Sequence, residues 1–315
     1  MNILITGGAG YLGSIITPTL LRKGYVVTVI DTFMFNQTSL LDCCHDKKLT
    51  VVRGDARDKD LMLTHLKDKD AIIPLACLTG APLCEKQPKE AEEVIIDALR
   101  IILRNRKENQ KIIYPTTNSG YGVGEKGKFC TEETPLRPIS LYGRLKVQAE
   151  EEILKAGNGI TLRLATAFGI APRMRLDLLV NDFTYRAVTD KYIELFEAHF
   201  MRNYAHVRDI AAAFVHCLKN FEAMKNEPYN VGLSEANLSK WDLCEEIKKQ
   251  VPDFNFKEVK EGKDPDQRDY IVSNEKIEKT GFKAKVTLAD GIEELIKGYT
   301  VLNANRTKEV WLTNI

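Results

Sequence analysis

The stretch Asn2–Gly13, NILITGGAGYLG, decides the fold. Its first half, NILITG, is a short apolar run closed by glycine and reads as a buried strand. Its second half, GGAGYLG over residues 7–13, sets Gly7, Gly10 and Gly13 three apart and opens a helix that continues through Leu21. Glycines there permit a tight strand-to-helix turn and let the backbone approach a pyrophosphate. They also leave the first N–H groups of the helix free to bind its charge. Tyr11 and Leu12 sit between these glycines and are expected beside the same ligand.

Outward from this turn, YVVTVID (25–31), LTVVRGD (49–55), AIIPLA (71–76), KIIYPTT (111–117) and GITLRLA (159–165) repeat the apolar strand pattern. Helical segments alternate with them, the longest at 89–107. Continuous apolar strands separated by helices imply a parallel sheet covered on both faces, a doubly wound α/β fold. Past Ala165 the alternation becomes irregular, with helices expected near 208–220, 239–250 and 287–302. The organisation expected is a dinucleotide-binding domain over 1–165 and a smaller C-terminal substrate-binding lobe over 166–315, partly threaded back onto the first.

The 315 residues carry 45 Lys and Arg against 44 Asp and Glu, a formal charge of +1. A protein that binds nucleic acid by counterion release, or a membrane surface by a polybasic patch, needs a surplus of positive charge, so neither partner is expected. No apolar run approaches the ~20 residues of a membrane helix, and the N-terminus enters a strand without a basic leader, which predicts a cytoplasmic protein. The seven cysteines are odd in number and form no Cys-x-x-Cys pair, so reduced thiols are expected and no metal site.

Asp31 ends the second strand about 20 residues past the glycines, where a carboxylate accepts hydrogen bonds from the adenosine ribose and repels a 2′-phosphate. No Arg or Lys follows in DTFMFNQ, so NAD is favoured over NADP. Asp55 and Ala56, after the third strand, and Leu75 and Ala76, after the fourth, are expected at the same sheet edge and are further cofactor candidates.

Tyr142 and Lys146 form Tyr-x-x-x-Lys in LYGRLKVQAEEEIL, a spacing that puts both on one helix face. A phenol titrates near ~10, so it serves as a base near neutrality only beside positive charge, which Lys146 and an oxidised nicotinamide supply. Composition alone yields about one such motif by chance. Its weight comes from order: glycine turn, then the hydroxyl-rich TTNSGYG (116–122) after the fifth strand, then Tyr142 about 20 residues on. Thr117 is the hydroxyl placed to hydrogen-bond the reacting oxygen.

These residues together resemble the extended short-chain dehydrogenase/reductases that act on nucleotide sugars, built on a Rossmann fold, and the resemblance spans nearly the whole chain. It implies that Thr117, Tyr142 and Lys146 are catalytic, with Tyr142 and Lys146 also touching the cofactor and Thr117 the sugar. RNYAHVRD (202–209) is similar to a family segment that contacts the substrate diphosphate through its arginine, here Arg202; the late DQRDYIVSNEKI adds Arg268, and Arg173 and Asn181 are further candidates. His206 is read as structural. The resemblance also implies a homodimer through helices 89–107 and 143–156. Three positions depart from the pattern: Pro74, Ile95 and Thr166 replace an expected His, Asn and Asn.

The departures narrow the chemistry. Asn118-Ser119 stands where dehydratases of this kind carry Asp-Glu, and where fucose-forming epimerases carry a Cys at the second position. What remains needs one hydride and one proton: oxidation, reduction or C4 epimerisation. The stretch 171–209 is similar to enzymes of bacterial surface-polysaccharide synthesis. That similarity implies C4 oxidation of a GDP-sugar, a GDP-heptose, to a 4-keto sugar in capsule synthesis. A 4-epimerase with a transient ketone, and a non-catalytic NAD-binding regulator, are the alternatives.

Overall fold

A seven-stranded parallel sheet forms the centre of the computed structural model, which describes residues 1–260 and 267–302. Its strands are β1 (Asn2–Thr6), β2 (Val26–Asp31), β3 (Leu49–Arg53), β4 (Ala71–Pro74), β5 (Lys111–Thr117), β6 (Gly159–Leu164) and β7 (Glu227–Val231). They lie in the order 3-2-1-4-5-6-7, so the strand order reverses between β1 and β4. The crevice beyond the carboxyl ends of strands at such a reversal is where doubly wound sheets bind ligands.

Alternation along β1 shows how both faces are covered. Ile3 and Ile5 point to one side, into a core with Ile16 and Leu20 of helix Gly13–Arg22 and Phe214 of helix Val207–Lys219. Leu4 points to the other, with Ile95, Ile102 and Ile153. A third core, including Phe183, Leu243 and Leu295, belongs to the smaller lobe, whose three-stranded sheet joins Thr166–Phe168, Met201–His206 and Asn237–Ser239.

Helix Val207–Lys219 packs on the main sheet and β7 extends it beside β6, because β6 would otherwise present an unpaired edge. The helix expected over 89–107 is continuous from 88 to 105 but changes its winding partway. It runs as Pro88–Glu92, a π-helical turn Glu93–Asp97, and Ala98–Asn105. Ile95, in that turn, is 1% exposed among apolar side chains, and Pro74 pairs with Thr6 inside the sheet, so neither replaces an expected polar residue with another polar contact.

Helix Leu141–Ala156 carries the Tyr-x-x-x-Lys pair. Ser140 caps it, its Oγ accepting from Gly143 N at 3.1 Å, and Gly157 at φ 71° ends it. Its register against the sheet is fixed by a buried ion pair. Arg163 of β6 donates through Nη2 (2.7 Å) and Nε (3.0 Å) to Glu150 Oε1, while Thr116 Oγ1 donates to Glu150 Oε2 at 3.0 Å. Both charged side chains are nearly solvent-free, so removing one strands the other. Arg163→Met is expected to destabilise the protein by about 3–5 kcal/mol, read as a lower urea midpoint.

Candidate active site

One large cleft, about 440 Å³, opens along the carboxyl ends of β1 to β6. Gly7, Gly10, Tyr11, Leu12 and Gly13 line it on one side, with Asp31 beside them. The three glycines do different work. Gly7 has φ +72°, and a Cβ there would lie 2.6 Å from Ala76 N, so the turn is pressed against the end of β4. At Gly13 a Cβ would lie 2.5 Å from the Gly8 carbonyl carbon. At Gly10 it would meet nothing nearer than 3.4 Å, so this glycine keeps the cleft itself open.

Asp31 is 8% exposed and accepts from Ala9 N (2.9 Å), Phe33 N (2.8 Å) and Gln37 Nε2 (3.3 Å). Burial pushes its carboxyl above the usual range, and these donors together with Arg53 oppose that push. Asp55 and Ala56 line the cleft, with the Asp55 carboxylate paired to Arg57 at 2.6 Å and held below its ordinary value by that contact. Leu75 and Ala76 line it where β4 ends. An open glycine, a buried acceptor carboxylate and an elongated cleft suit a dinucleotide.

At the other end lie Thr117, Tyr142 and Lys146. The Thr117 and Ser119 hydroxyls are 2.8 Å apart, and Ser119 N donates to Thr117 Oγ1 at 3.1 Å. Lys146 is 3% exposed; its Nζ donates to Tyr114 Oη at 3.0 Å and to the Pro115 carbonyl at 2.9 Å. Burial raises the Tyr142 phenol well above its ordinary value, and the charges of Lys146 and Arg175 pull against that rise. Cys77, another lining residue, is a neutral thiol, since burial pushes it up and the same two cations only partly offset this.

The four substrate candidates separate in space. Arg173 and Arg268 line the cleft, the latter donating from Nη1 to Ser119 Oγ. Asn181 is fully buried and is not among the described lining residues. Its amide oxygen accepts from Gly169 N at 3.0 Å, and its Nδ2 donates to the Arg175 carbonyl at 2.8 Å and to Tyr11 Oη at 3.3 Å. Arg202, 3% exposed, is not a described lining residue either: its Nη1 donates to the carbonyls of Met201 and Arg268, and its guanidinium faces the Tyr270 ring. Both bond other parts of the fold through the atoms named. His206 caps helix Val207–Lys219 through Nδ1 and faces Glu294 at 3.4 Å.

Ser119 and Arg175 also line the cleft without having been expected there. Ser119 was visible as part of a hydroxyl-rich segment, yet a serine in TTNSGYG gives no sign of which way it points. Arg175 pairs with Asp177 at 2.5 Å beside Tyr142, a position set by a loop whose path the sequence does not disclose.

A sequence model of the NAD dependent epimerase/dehydratase family matches residues 3–232. Curated relatives include a UDP-glucose 4-epimerase of Lactobacillus helveticus, 25% identical over 79% of this chain and 81% of that protein. The low-salt glycan biosynthesis protein Agl12 of Haloferax volcanii is 26% identical over 95% and 98%. Among solved structures, UDP-glucuronic acid 4-epimerase from Bacillus cereus, in complex with UDP-glucuronic acid and NAD, superposes with a TM-score of 0.84 at 22% identity, covering 96% of this chain and all of that one.

Because a Cβ at Gly10 meets nothing nearer than 3.4 Å, Gly10→Val is expected to fold with an unchanged thermal midpoint yet lose NAD binding by at least about tenfold, measured by NADH fluorescence titration. Retained binding would place the cofactor elsewhere.

Proposed function

The chain belongs to the NAD dependent epimerase/dehydratase family, is an enzyme of that oxidoreductase kind and uses NAD; on that premise we propose that it oxidises C4 of a nucleotide-diphosphate sugar, a GDP-heptose, to a 4-keto sugar. The observation that carries the reading is the meeting of Thr117, Ser119, Tyr142 and Lys146 with the glycine turn and Asp31 in one cleft. The setting proposed is the bacterial cytoplasm, in capsule synthesis, with a homodimer formed through helices 89–107 and 143–156. The two-domain division, cofactor binding before 166 and substrate binding after, is part of the same proposal, with 207–231 returning to the sheet.

Bound NAD+ supplies a hydride acceptor and a positive charge. Tyr142 takes the proton of the sugar C4 hydroxyl while the C4 hydride leaves, so the C–O bond becomes a carbonyl. Thr117 and Ser119 hold the reacting oxygen, and Lys146, fixed by Tyr114 and Pro115, favours the phenolate. Besides Lys146, Arg268 and Arg175 are cleft cations near this chemistry and suit the anionic part of the substrate. Asn118-Ser119 supplies no acid–base pair for water elimination.

The names of the relatives favour a second reading, a 4-epimerase that returns the hydride to the opposite face. Incubation with GDP-heptose and related nucleotide sugars separates the two: a C4 ketone with NADH is expected, whereas the C4 epimer alone would overturn the dehydrogenase reading. Tyr142→Phe is expected to lower the rate by at least about a thousandfold, within the range of losing a general base, while NADH still binds. Unchanged turnover would remove Tyr142 from its role.

The pH dependence follows from the same groups. Activity requires the phenolate, so the rate of NAD+ reduction rises as pH increases through the Tyr142 pKa in the complex. Removing the nearby ammonium with Lys146→Met raises that pKa, and the rising limb is expected at higher pH. A limb that stays in place would detach Lys146 from the base.

A further inference from the structure

The 3₁₀ turn Asn118–Tyr121, which carries Ser119 and ends at Gly122, is gripped by a segment from the far end of the chain. Asp269 N donates to the Gly122 carbonyl at 3.3 Å, and Gly124 N donates to the Asp269 carbonyl at 2.7 Å. The Asp269 carboxylate accepts from Met201 N at 2.8 Å, and Arg202 Nη1 donates to the Arg268 carbonyl. The backbone at 268–269 is therefore held from two sides, by the turn and by strand Met201–His206. Arg202 faces the Tyr270 ring as well, so its buried guanidinium serves to fix the main chain beside Arg268.

This grip brings the Arg268 side chain to Ser119, 149 positions away in sequence, where Nη1 donates to Ser119 Oγ. Ser119 is 2% exposed, and its Oγ lies 2.8 Å from Thr117 Oγ1, which also accepts from Ser119 N at 3.1 Å. Two hydroxyls carry two protons, and one of them lies in the bond between the oxygens. If Ser119 donates to Thr117, the Thr117 proton is left over; if Thr117 donates to Ser119, the Ser119 proton is. In both senses the pair keeps one O–H for the cleft that both residues line, with the Arg268 cation behind it.

We infer that Arg268 is a positioning residue for the reaction that acts through Ser119, polarising the Thr117–Ser119 pair so that its one remaining O–H donates to the sugar C4 oxygen. As Tyr142 takes the proton of that hydroxyl and the C4 hydride passes to NAD+, negative charge builds on the oxygen before the carbonyl forms. A donor backed by a cation stabilises that charge more than it stabilises the starting hydroxyl, which is what lowers a barrier. The pair keeps its own protons throughout, so the step needs no further acceptor.

The inference rests on the C4 oxidation proposed above, so Tyr142→Phe is measured alongside. On the full chain, kcat and KM are read from NADH formation with GDP-heptose, or with UDP-glucose if GDP-heptose is not oxidised, for Arg268→Met, Ser119→Ala and the double variant. Each single change is expected to lower kcat about tenfold with KM within about twofold, less than the loss of a whole oxyanion donor because one hydroxyl remains. The double variant is expected at the level of Ser119→Ala, since without that hydroxyl the cation has nothing to act through. Arg268→Lys keeps a charge and a donor with less disturbance to the fold; it is expected to recover part of the rate when Ser119 is present and none when it is alanine. Losses that multiply to about a hundredfold in the double variant, or an unchanged kcat with a raised KM in Arg268→Met, would overturn the inference. Multiplying losses with an inactive Tyr142→Phe would remove only the action through Ser119, whereas turnover retained by Tyr142→Phe would overturn the reaction reading itself.

Discussion

The placement of the cleft residues depends on one charge pair that is not among the described lining residues. Glu150 and Arg163 are buried beneath the cleft, 4% and 6% exposed in their side chains. Taking both out of water is costly unless each finds several partners. Here the partners are what organise the site. Glu150 lies one turn beyond Lys146 on the same helix and also receives the Thr116 hydroxyl, next in chain to Thr117. Arg163 reaches on to Tyr121 Oη at 3.1 Å and the Glu132 carbonyl at 3.0 Å. Helix, β5 and β6 are therefore clamped in one register, and Thr117, Tyr142 and Lys146 inherit their relative placement from that clamp.

A second strut joins the two halves of the chain. Tyr11 from the glycine turn and Asn181 from helix Leu179–Thr189 meet over Gly169, both buried and with their polar atoms satisfied. The same turn that faces the cleft with Gly10 thus carries, on its other side, the loop of Arg173 and Arg175. The glycine-turn wall of the cleft and the loop of Arg173 and Arg175 are mechanically linked through this contact. The burial that raises the Tyr11 phenol well above its ordinary value keeps it neutral and available as a donor.

The parallel sheet, the turn, and the Asp31 and Tyr142–Lys146 positions were legible because each is written in local spacing: apolar runs of strand length, glycines at a turn, two side chains one helical turn apart. The π-helical turn at Glu93–Asp97 was not, since a single extra residue per turn leaves the apolar pattern almost intact. The return expected of the second half is made by residues 207–231, and which residues make it follows from an edge strand taking a neighbour and not from any motif.

The sequence by itself determined the fold class, the glycine turn after the first strand and the placing of Tyr142 and Lys146 on one helix face, because those depend on contacts between near neighbours in the chain. Only the tertiary structure decided which polar residues of the second half face the cleft. Asn181 and Arg202 were as plausible there as Arg173 and Arg268. Their amide and guanidinium groups turn instead to carbonyls and hydroxyls that lie up to 170 residues away, as with Asn181 and Tyr11. A buried polar group takes the partner that packing brings to it, and no local pattern announces that partner in advance.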